Sequence, residues 1–397
     1  MPCESTPVRS SARVAERPRY DTREHASLRS YVTAPPDTLL FAAVAALVGI
    51  GLVMIFSASS ATAYSEHHDV AFYLKRQFMW LGVGLGVAFL AYRMDYHRLK
   101  SAAPWILVGS VLALVLVLVP HVGMIVNGAR RWIGVSAVSF QPSEFAKLAI
   151  VIYLSAMLAQ RGDKITSLGK GLFPLCVPVF LIAVLILKEP DMGTASLIIM
   201  IEFAMFFAAG ARVAHLAAIA LATAPPALIT ILTNHYQRAR VFAFLNPWKD
   251  PQNTGFHIVQ SLLALGSGGL MGVGLGASRA KFFYLPEQYT DFIFSVIGEE
   301  LGLMGTLAVV FLFLVFAYRA VRIAIAAPDR LGFFLVIGSM AVITIQAFIN
   351  IGVVTSSWPV TGVPLPFISF GGSSLIVNLV CVALIMNVGR QRRVTRA

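Results

Sequence analysis

Charge is the scarcest property of this sequence. Only 13% of its 397 residues are Asp, Glu, Lys or Arg, against 57% hydrophobic, and the mean hydropathy is +0.77. A water-soluble domain carries about a quarter charged residues, so a soluble globular fold is excluded and lipid is the solvent. Acidic residues are the rarer sign, 19 against 31 Lys and Arg, for a net charge of +12. That excess does not argue for a nucleic-acid partner: the basic residues fall in short clusters between apolar runs, where positive charge holds loops on the cytoplasmic side. Cysteine is nearly missing as well. Cys3 lies in the N-terminal tail, and Cys176 and Cys381 lie inside apolar runs, with no metal-ligand spacing and no disulfide framework. A cleavable signal peptide is not expected, because the first apolar run starts after a long polar stretch and reads as a retained anchor.

What the chain has in quantity is apolar runs. They fall at roughly 39–59, 73–92, 104–120, 144–160, 171–187, 192–209, 213–232, 291–319, 332–355 and 371–389, each near the ~20 residues that span a hydrocarbon core as a helix. The expected fold is an all-α polytopic membrane protein of about ten transmembrane helices, with a long outer loop, 233–290, between the seventh and eighth. Residues 1–37, rich in Arg, Pro and Ser, read as a disordered cytoplasmic tail. Residues 38–390 form the transmembrane domain, and 391–397 a basic cytoplasmic tail. Alternate short loops carry Arg93, Arg98 and Lys100, then Arg161, Lys164 and Lys170, then Arg212, then Arg319, Arg322 and Arg330. Arg390, Arg392, Arg393 and Arg396 close the chain. The loops between them are poor in Lys and Arg, which puts both termini in the cytoplasm. Arg130 and Arg131, with Arg238, Arg240, Lys249, Arg279 and Lys281, break the pattern on the outer side, where they are suited to holding an anionic substrate.

Five stretches carry candidate chemistry. In Leu285–Gly302, Glu287 and Asp291 stand four apart where loop becomes helix. With Pro286 as the first helical residue they would lie one turn apart on one face. A low dielectric there would raise one carboxyl and leave a base poised for work; equally, acids in a first turn complement the helix dipole, with Thr290 as cap. Asn127–Gly134 offers Arg130, Arg131 and Trp132 to phosphate or sugar, although Arg and Trp also serve as interfacial anchors. Gln141–Lys147 places Glu144 and Lys147 on one helix face, as a functional pair or a structural one. Lys188–Thr194 is a tight turn in which Asp191 reads as a helix cap, at least as readily as a residue of the site. Trp358–Ser374 is too rich in proline for helix and must sit against protein or water. The glycine-rich Gly266–Gly276 lacks the preceding strand of a dinucleotide site, so close packing explains it better than phosphate binding. Glu202, Glu299, Glu300, Asn350 and Asn378 are further polar residues within spans, without an assigned role.

Those motifs, in their order along the chain and over residues 37–390, resemble the SEDS family (FtsW, RodA and SpoVE). The sequence Ser278–Glu287 followed by Phe294–Gly302 looks more like the cell-division member FtsW than the elongation member RodA. Ser356-Ser357-Trp358 before Pro359, and Phe370 before Gly371, depart from the family's usual residues. The resemblance implies an inverting peptidoglycan glycosyltransferase that polymerises lipid II at the bacterial cytoplasmic membrane, at the division septum, with Asp291 as its essential acid. The acceptor sugar needs a base, Asp291 with Glu287 tuning it, and the leaving undecaprenyl pyrophosphate needs cations or a divalent metal ion such as Mg or Mn. Arg130, Arg131, Lys147, Arg279 and Lys281 are the candidate cations, Trp132, Ser369 and Ser373 further substrate contacts, and Asp291 with Glu287 the pair that would share a metal. A class B penicillin-binding transpeptidase and other divisome membrane proteins are the implied partners. A flippase of lipid-linked precursor, or a scaffold that only recruits partners, are the competing readings; no internal repeat of the transporter kind is visible.

Overall fold

The computed structural model describes residues 35–126, 129–135, 138–233, 235–279, 281 and 285–391. The expected tails, apart from 35–37 and Gln391, and Asn127 and Gly128 of the Asn127–Gly134 stretch, lie outside the described residues. The described chain contains α1 (Thr38–His67), α2 (Phe72–Arg93), α3 (Arg98–Leu118), α4 (Pro142–Arg161), α5 (Phe173–Lys188), α6 (Met192–Ala208), α7 (Val213–Thr233), α8 (His235–Leu245), α9 (Phe256–Ser267), α10 (Ile293–Ile325), α11 (Arg330–Val354) and α12 (Gly372–Arg390). All but α8 and α9 occupy the ten apolar runs. Eight helices, among them α5 with the turn before it, are long and apolar enough to cross a membrane by themselves. The two others fall short for visible reasons: Lys75, Arg76 and Gln77 dilute α2, and α6 has only 17 residues.

Ends are set by local chemistry. Asp37 caps α1 by accepting from Leu40 N at 3.0 Å, Asp329 caps α11 through Gly332 N at 2.7 Å, and Pro142 opens α4 where its missing N–H costs nothing. The core is α4, α11 and α12, buried along most of their length, with α3 packed on α4, α2 on α12, α6 on α11 and α10 bridging α1 and α11. α7 packs mainly on α6 and α8 and leaves Leu221, Leu228, Ile229 and Leu232 exposed.

Two features depart from the expectation. The loop after α3 holds a three-stranded antiparallel sheet, β1 (Gly123–Val126), β2 (Ala129–Val135) and β3 (Val138–Phe140), in that order, with Met124 opposite Trp132 and Gly134 opposite Ser139. Reading the chain for spans passes over strands this short, although Ile125, Val126, Ile133, Val135 and Val138 give the segment β-branched residues suited to a pleat. The second departure is the start of α10. Pro286 is not its first residue: Leu285–Phe292 is a series of turns and the helix begins at Ile293. Glu287 adopts φ 53°, outside the helical region, and its carbonyl accepts from both Thr290 N and Phe292 N at 3.2 Å.

α10 also breaks, at Gly302 (φ 65°, ψ −164°). The break frees backbone groups, and the glycine-rich segment takes them up: Val273 N donates to Glu299 O (2.9 Å), Gly274 N to Glu300 O (3.1 Å), and Leu303 N to Gly269 O (2.9 Å). Close packing is therefore what the glycines provide. Irregular backbone in such a bundle stands only where protein satisfies it.

Candidate active site

The interhelical turns at one end of the bundle surround a cavity of about 860 Å³. α2, the sheet, the α5–α6 turn, α8, α9, the turns before α10 and the segment before α12 all contribute to its wall. Asp291 and Glu287 both face it. The main chain at Asp291 is fixed from the α11 side, where Asn350 Nδ2 donates to Asp291 O at 2.7 Å and to Val363 O at 2.8 Å. Ser369 Oγ donates to Thr290 O at 2.5 Å, and Phe370 N to Tyr289 O at 2.9 Å. Burial pushes the Asp291 carboxyl up to about 7, and the neighbouring Glu287 carboxylate adds to the rise. Arg240 and Arg131 oppose it, which also puts both guanidinium groups within electrostatic reach of Asp291. Glu287 is exposed and accepts from Thr290 Oγ1 at 2.8 Å.

Of the expected substrate contacts, Arg131 and Trp132 line the cavity from β2. Arg131 ties the sheet to the α5–α6 turn, with Nε donating to Glu189 O (2.9 Å) and Nη2 to Pro190 O (2.5 Å). Asp191 does what a cap does, accepting from Thr194 N and Thr194 Oγ1 at 3.0 Å each, and it also lines the cavity. Glu189 beside it is fully buried, its carboxyl pushed up to about 8 by burial and by Asp191.

The remaining candidates stand elsewhere. Lys147 is wholly buried between α4 and α11, paired with Glu144 Oε2 at 2.7 Å and donating to Gln346 Oε1 at 2.7 Å. Gln346 passes the contact on to Pro364 O (2.8 Å), a residue of the cavity wall. Lys147 is thus a support beneath the cavity and not a contact within it. Its loss leaves Glu144 buried without its cation, so Lys147→Met is expected to cost about 3 kcal/mol of stability, read as a lower thermal midpoint with an unchanged KM in the surviving protein. Arg130 is half-buried on β2 outside the cavity wall, and Arg279 is exposed. Lys281 Nζ turns inward toward Glu300 (3.9 Å). Ser373 accepts from Gln141 N at 3.1 Å, so it and Ser369 hold main chain.

Sequence reading passed over one face of α2. Tyr73, Arg76 and Trp80 recur at helical spacing and line the cavity, and Tyr73 packs on Tyr289 with ring centroids 4.5 Å apart. The signal was present: Lys75-Arg76-Gln77 is a polar triplet inside an apolar run. Arg240 from α8 and His257 from α9 complete a wall of cations and aromatic rings, with His257 stacked on Phe292 at 5.8 Å.

Among the described residues no three His, Cys, Asp or Glu side chains gather as a metal cage. A magnesium-type ion that keeps its waters and binds substrate phosphates needs only one or two carboxylates. Of the three carboxylates that line this cavity, Asp191 is engaged by Thr194 through both oxygens, so Glu287 and Asp291 are the pair that would hold such an ion.

Comparison with known proteins agrees with this architecture. The family described as "Cell cycle protein" (FtsW/RodA/SpoVE) matches residues 37–394. Stage V sporulation protein E of Bacillus subtilis is 44% identical over 358 residues, covering 90% of this chain and 98% of the relative. The probable peptidoglycan glycosyltransferase FtsW of Geobacter metallireducens is 41% identical over 359 residues, covering 90% and 96%. Among solved structures, a chain of a peptidoglycan synthase complex that coordinates polymerization and crosslinking superposes with a TM-score of 0.73 at 31% identity, covering 90% of this chain and 98% of that one. The crystal structure of Thermus thermophilus RodA gives 0.67 at 30% identity, covering 91% and 98%. With the family match running from 37 to 394 and the overall fold shared with solved members over nine-tenths of its length, the chain belongs to the FtsW/RodA/SpoVE family.

Proposed function

We propose that this chain is a peptidoglycan glycosyltransferase that polymerises lipid II into glycan strands during septal wall synthesis, with Asp291 as general base. The observation that carries the reading is a carboxyl raised to about 7 that faces a large cavity flanked by guanidinium groups. A base works best when its pKa lies near the working pH. Asp291 takes the proton from the 4-hydroxyl of the acceptor sugar as that oxygen attacks the anomeric carbon of the donor. The C–O bond to undecaprenyl pyrophosphate breaks, and the configuration inverts. Arg131, Arg240 and Arg76 face the same space and offset the charge that grows on the departing pyrophosphate. A divalent ion on Glu287 and Asp291 would add further positive charge there.

The cavity opens on the extracytoplasmic face in this reading. Arg93, Arg98, Arg161, Arg212, Arg319, Arg322, Arg330 and Arg390 all stand at helix ends of the opposite face, which the positive-inside rule puts in the cytoplasm with both termini. The partner is a class B penicillin-binding transpeptidase that cross-links the strands, in keeping with a structural relative from a complex that coordinates polymerization and crosslinking. Other divisome membrane proteins complete the assembly.

The sign of the pH dependence follows from Asp291. It must be ionised to act, so turnover rises with pH and levels off above about 7. Removing the neighbouring negative charge favours ionisation. Glu287→Gln is therefore expected to move the acid limb of the kcat profile to lower pH by about half a unit to one unit. Polymer made from lipid II already on the outer side of proteoliposomes tests the reaction itself; translocation without polymer would replace it with transport.

A further inference from the structure

Two adjacent buried carboxylates, Glu299 and Glu300, have no part in the chemistry above. Both sit in α10 just before the break at Gly302, are at most 3% exposed, and do not line the cavity. Their partners come from other segments. Glu299 Oε1 accepts from Arg279 N at 2.9 Å and Oε2 from Ser278 Oγ. Glu300 accepts from Ser57 Oγ of α1 through both oxygens (2.6 and 2.8 Å) and from Ser278 N at 3.4 Å, with Lys281 Nζ 3.9 Å away. The chain then leads to the site. Lys281 O accepts from Gln288 Nε2 at 3.0 Å, and the same amide reaches Thr62 Oγ1 of α1 at 3.1 Å. Gln288 directly follows Glu287, whose carbonyl receives the two N–H groups that bracket Asp291.

We propose that Glu299 and Glu300 are positioning residues for the reaction: through Ser278, Arg279 and Lys281 they hold the loop that carries Glu287 and Gln288, and so set where Glu287 stands against Asp291. The inference rests on the reading of Asp291 as the base. The residue type fits the task. An ionised carboxylate is acceptor-only, with room for about four donors, and the backbone N–H groups of Ser278 and Arg279 and the hydroxyls of Ser57 and Ser278 all donate to this pair. A methionine in either place keeps the length of the side chain and leaves these donors no oxygen to meet. The far side of the loop is held independently by Asn350, Ser369 and Phe370, so releasing the carboxylate clamp frees Glu287 more than the Asp291 backbone.

The test uses the full chain in lipid nanodiscs, with wild type, Asp291→Asn, Glu299→Met and the milder Ser278→Ala side by side. Hydrogen exchange at Ser278, Arg279, Thr290 and Phe292 needs no activity, and it is expected to quicken at least about tenfold in Glu299→Met. Turnover of lipid II is expected to fall about 10–100-fold in kcat, with KM for the donor within about threefold. Ser278→Ala, which leaves both carboxylates in place, shows the same changes about three- to tenfold in size if Glu299→Met does not fold. Unchanged exchange at these amides overturns the proposal. So does a lower thermal midpoint with the kcat and KM of wild type. Polymerisation by Asp291→Asn, or none by wild type, sinks the reading of the base instead, while the exchange arm still reports on the clamp.

Discussion

Asp291→Asn is expected to lower lipid II polymerisation by about 10²–10⁴-fold, the range that a positioned general base contributes. The amide has nearly the same size and cannot accept the proton, so the loss should appear in kcat with little change in the affinity for the lipid-linked donor. The stability of the variant separates this from unfolding. The folded-state carboxyl is raised to about 7 from 3.8. A raised acid binds its proton more tightly when folded, so its ionisation costs stability progressively between about pH 4 and 7, and the cost is fully present above 7. Asp291→Asn removes that cost, and at pH 8 it should melt higher than wild type. An inactive variant that melts lower would point to a structural role. An active one would remove Asp291 from the chemistry. Asp291→Glu keeps the base but moves it by about 1 Å, a displacement worth about 10²-fold in rate, so it should be as stable as wild type and slow.

Gly302→Val should produce the largest loss of stability, on the order of 5 kcal/mol, from an essentially glycine-only backbone region and an overpacked contact. At φ 65° and ψ −164° a side chain is strained whatever space surrounds it. A Cβ there would also stand 2.5 Å from Leu270 O and overlap Gly272 N. Relief requires the glycine-rich segment to leave the break, which strands Glu299 O, Glu300 O and Leu303 N without partners. The expected readout is a large fall in thermal midpoint or in folded yield, together with fast exchange at Val273, Gly274 and Leu303. Gly269→Ala is the matching control for space: the site has φ 54°, yet nothing stands within 4 Å of an added Cβ, so its cost should stay near the backbone strain alone, about 1–2 kcal/mol. A Gly302→Val protein as stable as Gly269→Ala would show that the docking of this segment contributes nothing.

Between the two predictions lies the difference between pattern and contact. The helical membrane fold was legible because span length and lipid solvation act locally: each of the ten apolar runs became a helix, most of them within about two residues of the expected ends, while α1, α3 and α10 each run on for about two further turns at one end. Asp291 and Glu287 were legible as a pair because they are close in sequence, although the helix meant to align them begins only at Ile293. Lys147 was legible only as an ionisable residue of a span, functional or structural, for the same local reason. An ionisable residue in a span reads as functional until its partners are known, and Gln346 lies 199 positions away. Arg76 was missed because a basic residue within an apolar run says nothing of which neighbour it faces, and Arg240 was named only as one of several outer-loop cations.

By itself, then, the sequence determined that the chain lives in lipid, where its helices run, which family it resembles and which carboxylates are candidates for chemistry. All of these depend on composition, period and short-range spacing. Tertiary structure alone decided which cations reach Asp291, which polar residues only brace the bundle, and how the glycine-rich segment closes the break in α10. Those outcomes depend on contacts between residues far apart in the chain, and on how burial and neighbouring charge set a carboxyl's affinity for its proton, neither of which any single stretch of sequence contains.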